Sequence, residues 1–225
     1  MPTEFDLQYP HGRGNRAAVA SVRAIQDRLV AWELGRDYYD GDRRHGYGGF
    51  RYDGRWRGII PRLAERHGLT SQSRVLDVGC KKGFFLHDLC ELIPGIQVTG
   101  VENHPYPLAE AMPSVKPRLL FAPYEKLPFP DASFDFVFAY AAIYMLNLGG
   151  VVAALREVQR VGAGRSFVTV GAYRTDEERR CLQDWTLLGT TVLHVDEWLE
   201  VFRYASYTGD YSFTTAATLG LAVGD

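Results

Sequence analysis

Val75-Leu76-Asp77-Val78-Gly79-Cys80-Lys81-Lys82-Gly83 decides how this chain folds. Residues 75–78 are an apolar run of strand length carrying a single carboxyl, residues 79–83 form a turn bounded by glycines, and residues 84–92 follow as an amphipathic helix. A strand that passes through a glycine turn into a helix aims the free N–H groups of the helix start at a ligand, and Gly79 lets the backbone approach that ligand closely. Working outward, runs of strand length at 74–78, 97–101, 118–121, 134–140 and 165–170 alternate with helical stretches near 84–92, 107–112 and 150–161, with one turn or short helix near Tyr124. This alternation predicts repeated βα units: an α/β, Rossmann-like, doubly wound and mainly parallel sheet with helices on both faces. Beyond it, 176–187 and 196–205 read as helices and 210–215 as a strand, while Leu219, Leu221 and Val223 alternate weakly in a glycine-broken tail.

Before the first of these strands the sequence has another character. Residues 16–34 space apolar side chains among charges as a helix does, with Asn15 as a possible N-cap, and 56–67 form a second short helix. Between them, 36–55 interleave Gly41, Gly46, Gly48, Gly49 and Gly54 with Tyr38, Tyr39, Tyr47, Phe50 and Tyr52. A loop this long and aromatic is expected to be a lid that lends Tyr39, His45 and Tyr47 to a substrate pocket; a packed flap without a chemical role is the alternative.

Glu102, twenty-five residues after Asp77, ends the second strand, where a carboxylate can accept two hydrogen bonds from a ribose diol. Turn and carboxylate together describe an adenosine site. Dinucleotide binding requires a second glycine where this chain has Lys81, because backbone must reach a pyrophosphate there. A cofactor without phosphates, such as S-adenosylmethionine, tolerates a side chain at that place, and its carboxylate can use nearby N–H groups or Lys82. A turn that merely packs helix on strand is the plainer reading of the glycines alone.

Residues 74 to about 171 resemble the class I S-adenosylmethionine-dependent methyltransferases, through Leu76-Asp77-Val78-Gly79-Cys80 with Gly83, and through Tyr124-Glu125-Lys126-Leu127-Pro128-Phe129-Pro130-Asp131-Ala132-Ser133-Phe134-Asp135. The second stretch is similar to the segment between the third and fourth strands in the subgroup with small-molecule substrates. The resemblance implies that Asp77 steadies the glycine turn, Gly79 and Cys80 face the methionine portion, Glu102 binds the ribose, Asn103 lies beside the adenine, and Tyr124 and Glu125 contact its edge. It also implies S-adenosylhomocysteine as product. Three departures stand out: Pro123 replaces an acidic residue, Lys81 replaces the middle glycine, and Tyr144 stands where related sequences often carry His. More loosely, Tyr38-Tyr39-Asp40-Gly41-Asp42-Arg43, Gly46-Tyr47-Gly48-Gly49 and Tyr52-Asp53-Gly54-Arg55-Trp56 are similar to the N-terminal stretch of uncharacterised bacterial methyltransferases.

Methyl transfer is an in-line displacement, so holding a nucleophile about 3 Å from the methyl and shielding it from water is the main task. A hydroxyl acceptor gains from a base titrating near neutrality; an amine needs only its neutral form. Candidates at the expected crevice are His104, Tyr140 and Tyr144, the tyrosines for positioning rather than proton abstraction, with aromatic packing as their alternative. Tyr173 and Arg174 follow the fifth strand at the same edge, where Arg174 can meet an anionic substrate or pair with Asp176 or Glu177.

The 225 residues, 46% of them apolar, suit one domain with a core of its own: 1–70 as helical cap and lid, 71–171 as cofactor-binding core, 172–225 completing sheet and pocket. No signal-peptide pattern or apolar run of membrane length occurs, so a soluble cytoplasmic protein is expected. Cys80, Cys90 and Cys181 are an odd, scattered set that suggests neither disulfides nor zinc, and Asp40, Asp42 and His45 make poor metal ligands because Arg44 interrupts them. A net charge of −2 argues against bulk nucleic-acid binding. Residues 1–75 nevertheless hold thirteen Arg against nine Asp and Glu, a surplus that suits an anionic substrate or, more plainly, a solvated helix with ion pairs. Gly12-Arg13-Gly14-Asn15-Arg16-Ala17 mimics a dinucleotide fingerprint without a preceding strand and is set aside. The expected function is methyl transfer to a hydroxyl or amine of a small polar molecule such as a sugar or natural-product intermediate. A peptide or protein acceptor, a non-catalytic cofactor-binding module and, more distantly, a nicotinamide oxidoreductase are the alternatives.

Overall fold

The structure, a computed structural model, describes residues 2–10 and 22–221. Its strands are β1 (Thr3–Glu4), β2 (Arg74–Val78), β3 (Gln97–Glu102), β4 (Leu119–Phe121), β5 (Phe136–Ala139), β6 (Ser166–Tyr173), β7 (Leu193–His194) and β8 (Asp210–Thr214). They are ordered β1-β8-β6-β5-β2-β3-β4, with β7 beside β6. Every pairing among the described residues is parallel. The chain winds outward from β2 through β3 to β4, then returns to β5 on the other side of β2. The carboxyl ends of β2 and β5 therefore part, and such a switch point is where open α/β sheets take ligands.

The helices are α1 (Ile25–Trp32), α2 (Arg36–Asp40), α3 (Ile60–His67), α4 (Phe84–Leu92), α5 (Pro105–Ala109), α6 (Leu148–Gly162), α7 (Asp176–Trp185) and α8 (Val195–Tyr204). Alternation along β2 assigns them to faces: Leu76 and Val78 join Ala154, Leu155 and Val158 of α6 and Trp198 and Phe202 of α8. Val75 joins Ile60 and Leu63 of α3 with Phe85, Leu86 and Leu89 of α4 on the opposite face. Capping sets the helix starts. Asn147 accepts from Gly150 N ahead of α6, and Thr175 from Glu178 N ahead of α7, whose first turn also carries Asp176, Glu177 and Glu178 toward the positive end of the dipole.

Most expected elements recur within a few residues, and the exceptions have local causes. Within 16–34 the described helix is only Ile25–Trp32; residues 11–21, with Asn15 and the fingerprint mimic, lie outside the described part. Residues 36–40 of the expected loop are helical. The tail does not continue as a strand: Thr215 and Thr218 exchange side-chain-to-backbone hydrogen bonds, and Leu219 N donates to Thr215 O, closing a turn over 216–220. Val223 lies outside the described residues.

His67, the last residue of α3, is wedged 4.2 Å from the Phe136 ring with its Nε2 buried and lacking a hydrogen bond among the described residues. Burial pushes its imidazole down to about 4; Asp210, 3.8 Å away, opposes that shift and Arg66 reinforces it. Folded His67 thus binds protons less readily than unfolded His67, whose value is about 6.5. Its contribution is complete above that pH and is lost as pH falls toward 4, by at most about 1.4 kcal/mol per pH unit. Urea titrations between pH 4 and 7 should show this slope, and His67→Phe should flatten it.

Candidate functional site

The glycine turn is built against β3. Gly79 N and Cys80 N both donate to Val101 O at 2.8 and 3.1 Å, Gly83 N donates to Cys80 O at 2.8 Å, and Lys81 N donates to Glu102 Oε2 at 2.9 Å. Gly79 has φ +79, and a Cβ there would lie 2.4 Å from the Ala142 Cβ, so both backbone shape and space require glycine. Gly83, the N-cap of α4, has φ +76, and a Cβ there would meet Val115 at 2.7 Å, so shape and space again require glycine. Glu102 is 2% exposed, and its Oε1 accepts from Asn103 N and the Tyr124 hydroxyl, each at 2.9 Å. Three donors thus fix this carboxylate at the crevice.

Asp77 departs from the role the resemblance implied. The turn is steadied by Val101 O and Glu102, whereas the Asp77 carboxyl makes no hydrogen bond among the described residues. It lines a cleft together with Gly79, Cys80, Lys81, Trp56, Phe138 and Tyr140. Burial pushes Asp77 up to about 7, with Lys81 opposing the shift and Glu102 adding to it. An unbonded carboxyl in an aromatic-walled cleft is suited to a cation or a hydrogen-bond donor. The Cys80 thiol, pushed up by burial, is no nucleophile there.

The aromatic loop, the expected lid, packs across this edge, with Phe50 on Phe84. Tyr39 is buried and stacks on Tyr106, just past β3, and on Tyr47 at 5.9 and 5.7 Å. Asp40 latches it: its oxygens accept from Lys82 Nζ at 2.6 and 2.8 Å, from the Tyr106 hydroxyl at 2.7 Å and from Phe50 N at 3.2 Å. Lys82 is therefore committed to the lid. Tyr38 and Tyr39 pack with Leu187 and Leu188, which follow α7, and Met145 from beyond β5 joins them. His45 does not share this interior; its Nε2 sits 3.3 Å from Asp27 on α1, a carboxyl held low chiefly by the Ala24 backbone N–H.

Tyr140 stacks under Tyr9, ring centroids 4.6 Å apart, with Trp56 edge-on to both. Burial raises the phenols of Tyr140 and Tyr144 well above their usual range, which suits positioning and disfavours proton abstraction. His104 caps α5, its Nδ1 accepting from Tyr106 N at 3.3 Å. Glu125 lies by the start of α6, where a Cβ on Gly150 would come 3.3 Å from its Oε1. Tyr173 meets His194 edge-on, and Arg174 lies 3.9 Å from Glu4 of β1 and over the Phe213 ring. Arg174 thus meets a carboxylate that β1 brings to the sheet edge beside it. Sequence reading missed Asp40, Trp56, Tyr106 and Tyr9. The aromatic run hinted at the first two, and nothing local marked Tyr9. Among the described residues no group of three or more His, Cys, Asp or Glu side chains could hold a metal ion.

A parallel sheet with a glycine turn at its switch point and a carboxylate ending the next strand defines the doubly wound α/β class. Residues 76–168 match the methyltransferase domain family. A malonyl-[acyl-carrier protein] O-methyltransferase of Legionella pneumophila is 31% identical over 133 residues, 57% of this chain and 45% of that protein. A sterol 24-C-methyltransferase of Gibberella zeae is 32% identical over 108 residues, 44% and 28% of the two chains. The chain thus spans less than half the length of these curated relatives. A chain from the complex of the Haloferax volcanii Trm112 methyltransferase activator with a methyltransferase shares the fold at TM-score 0.53 and 20% identity, over 86% of this chain and 76% of that one. The [4+2]-cyclase SpnF does so at TM-score 0.50 and 20% identity, over 83% and 72%.

Proposed function

We propose that the chain transfers a methyl group from S-adenosylmethionine to a hydroxyl or amine of a small polar molecule, such as a sugar or a natural-product intermediate, taken in beneath the lid. The observation that carries this reading is a pair of buried carboxyls, Asp77 and Glu102, flanking one glycine turn at the switch point, with Asp77 unbonded in the cleft. These residues suit the cofactor: Glu102 for the ribose diol, Asn103, Tyr124 and Glu125 around the adenine, Asp77, Gly79 and Cys80 at the methionine end. When bound, the cofactor supplies a methyl group on a positively charged sulfur. Trp56 and Tyr140 present aromatic faces to that charge and exclude water, while Tyr39 and Tyr47 roof the interior. Tyr140 and Tyr144 position the acceptor, and for a hydroxyl acceptor His104 is the candidate base. The chain works as one unit in this reading, with 71–171 holding cofactor, 1–70 covering it and 172–225 completing the pocket; Tyr173 and Arg174 meet substrate only at its outer rim. Among the described residues no helix is long and apolar enough to cross a membrane.

An acceptor borne on a protein is the second reading, favoured by the name of the Legionella relative. Calorimetry with S-adenosylmethionine, S-adenosylhomocysteine and NAD should show binding of the first two only; a preference for NAD overturns the assignment. Labelled cofactor is then incubated with pooled small metabolites and, separately, with cell protein. Label in the small-molecule fraction supports the first reading and label confined to protein the second. No turnover across a broad panel leaves a binding module.

A further inference from the structure

Lys81 stands where the missing glycine would be, and its side chain does not extend into water. Its ammonium donates to three backbone carbonyls, Tyr140 O at 3.1 Å, Gly79 O at 3.3 Å and Ala141 O at 3.5 Å. Those carbonyls follow β2 and β5, the two strands that part at the switch point. The Asp77 carboxyl lines the same cleft and is drawn downward in pKa by this ammonium. Three acceptors meeting three N–H donors, with a carboxyl alongside, make a site matched to a primary ammonium. Lys81 takes φ +53 there, a left-handed conformation that a side chain disfavours. The adjacent lysine shows that this destination is specific, since Lys82 instead pairs with Asp40 in the lid.

Resting on the cofactor reading above, which puts the amino acid end of the cofactor beside Asp77, Gly79 and Cys80, we propose that Lys81 is an internal competitor of the cofactor's own ammonium for the carbonyls of Gly79, Tyr140 and Ala141. S-adenosylmethionine and S-adenosylhomocysteine each carry one primary ammonium on the amino acid portion, at the end of the molecule opposite the adenine. Entry of that group displaces the Lys81 ammonium, and return of Lys81 favours release of product. The competition weakens binding of any ligand that carries the ammonium and leaves untouched an adenosine thioether that lacks it.

The test is calorimetry on the full chain and two variants, with S-adenosylhomocysteine and with 5′-methylthioadenosine, which has the same nucleoside and thioether but no amino acid group. Lys81→Met keeps side-chain length and removes the charge; Lys81→Gly also relieves the left-handed backbone. Both variants should bind S-adenosylhomocysteine roughly tenfold tighter than the parent and methylthioadenosine within about twofold of it. Unchanged or weaker binding of S-adenosylhomocysteine by Lys81→Met overturns the competition. An equal gain for both ligands overturns it too, because the effect would then be steric. Binding of neither nucleoside by any of the three proteins overturns the cofactor reading itself, and the competition with it.

Discussion

Glu102→Ala should weaken binding of S-adenosylhomocysteine by about 1.5–3 kcal/mol, roughly ten- to a hundredfold or slightly more, as loss of a charge-assisted bond to the ribose predicts. The structure adds a second consequence. Glu102 accepts from Lys81 N, Asn103 N and the Tyr124 hydroxyl, so its removal strands three donors at the turn. Part of the lost affinity will therefore come from a loosened turn, and the thermal midpoint should fall as well. Glu102→Gln separates the two effects, because its carbonyl oxygen still accepts while its amide opposes the neighbouring donors. We expect it to bind more tightly than the alanine variant and less tightly than the parent. Calorimetry with a parallel melt decides: unchanged affinity in a folded Glu102→Ala protein removes this residue from the site.

The largest expected stability effect lies far from the turn. Trp198 of α8 is fully buried, and its Nε1 donates to Gly171 O of β6 at 2.8 Å. It ties α8 to β6, and that helix leads into β8. Trp198→Ala should cost about 3–5 kcal/mol of unfolding free energy from lost transfer and an unfilled cavity. Trp198→Phe should recover much of the packing but leave Gly171 O without its donor, a residual cost of about 1–3 kcal/mol. Urea unfolding followed by far-ultraviolet circular dichroism measures both. A loss below about 1 kcal/mol for the alanine variant would contradict the packing of α8 on β6.

The sheet was largely legible because its signals are local. β2 spans Arg74–Val78 as its apolar run predicts, and α4 begins after Gly83 because that glycine is left-handed. β1 and β7 were not legible, since two residues each hold no periodicity and pair only with strands distant in sequence. The loop over 36–55 was marked by its glycines and aromatics, but the Asp40 contacts that hold it were not. Asp40 meets Lys82 and Tyr106 across 42 and 66 residues of chain, and no spacing rule links them. His45 and Arg174 were drawn instead to Asp27 and Glu4, partners brought near only by folding.

What the sequence by itself determined was the succession of βα units, the glycine turn and the carboxylate ending the next strand, because periodicity and backbone handedness act over a few residues. Where the charged side chains went was decided by the tertiary structure. Asp77 makes no hydrogen bond to the loop it was expected to brace and lines the cleft beside it, and Lys81 turned inward to the carbonyls of Gly79, Tyr140 and Ala141. A charge goes where complementary groups converge, and these converge only once β2 and β5, about sixty residues apart, lie side by side.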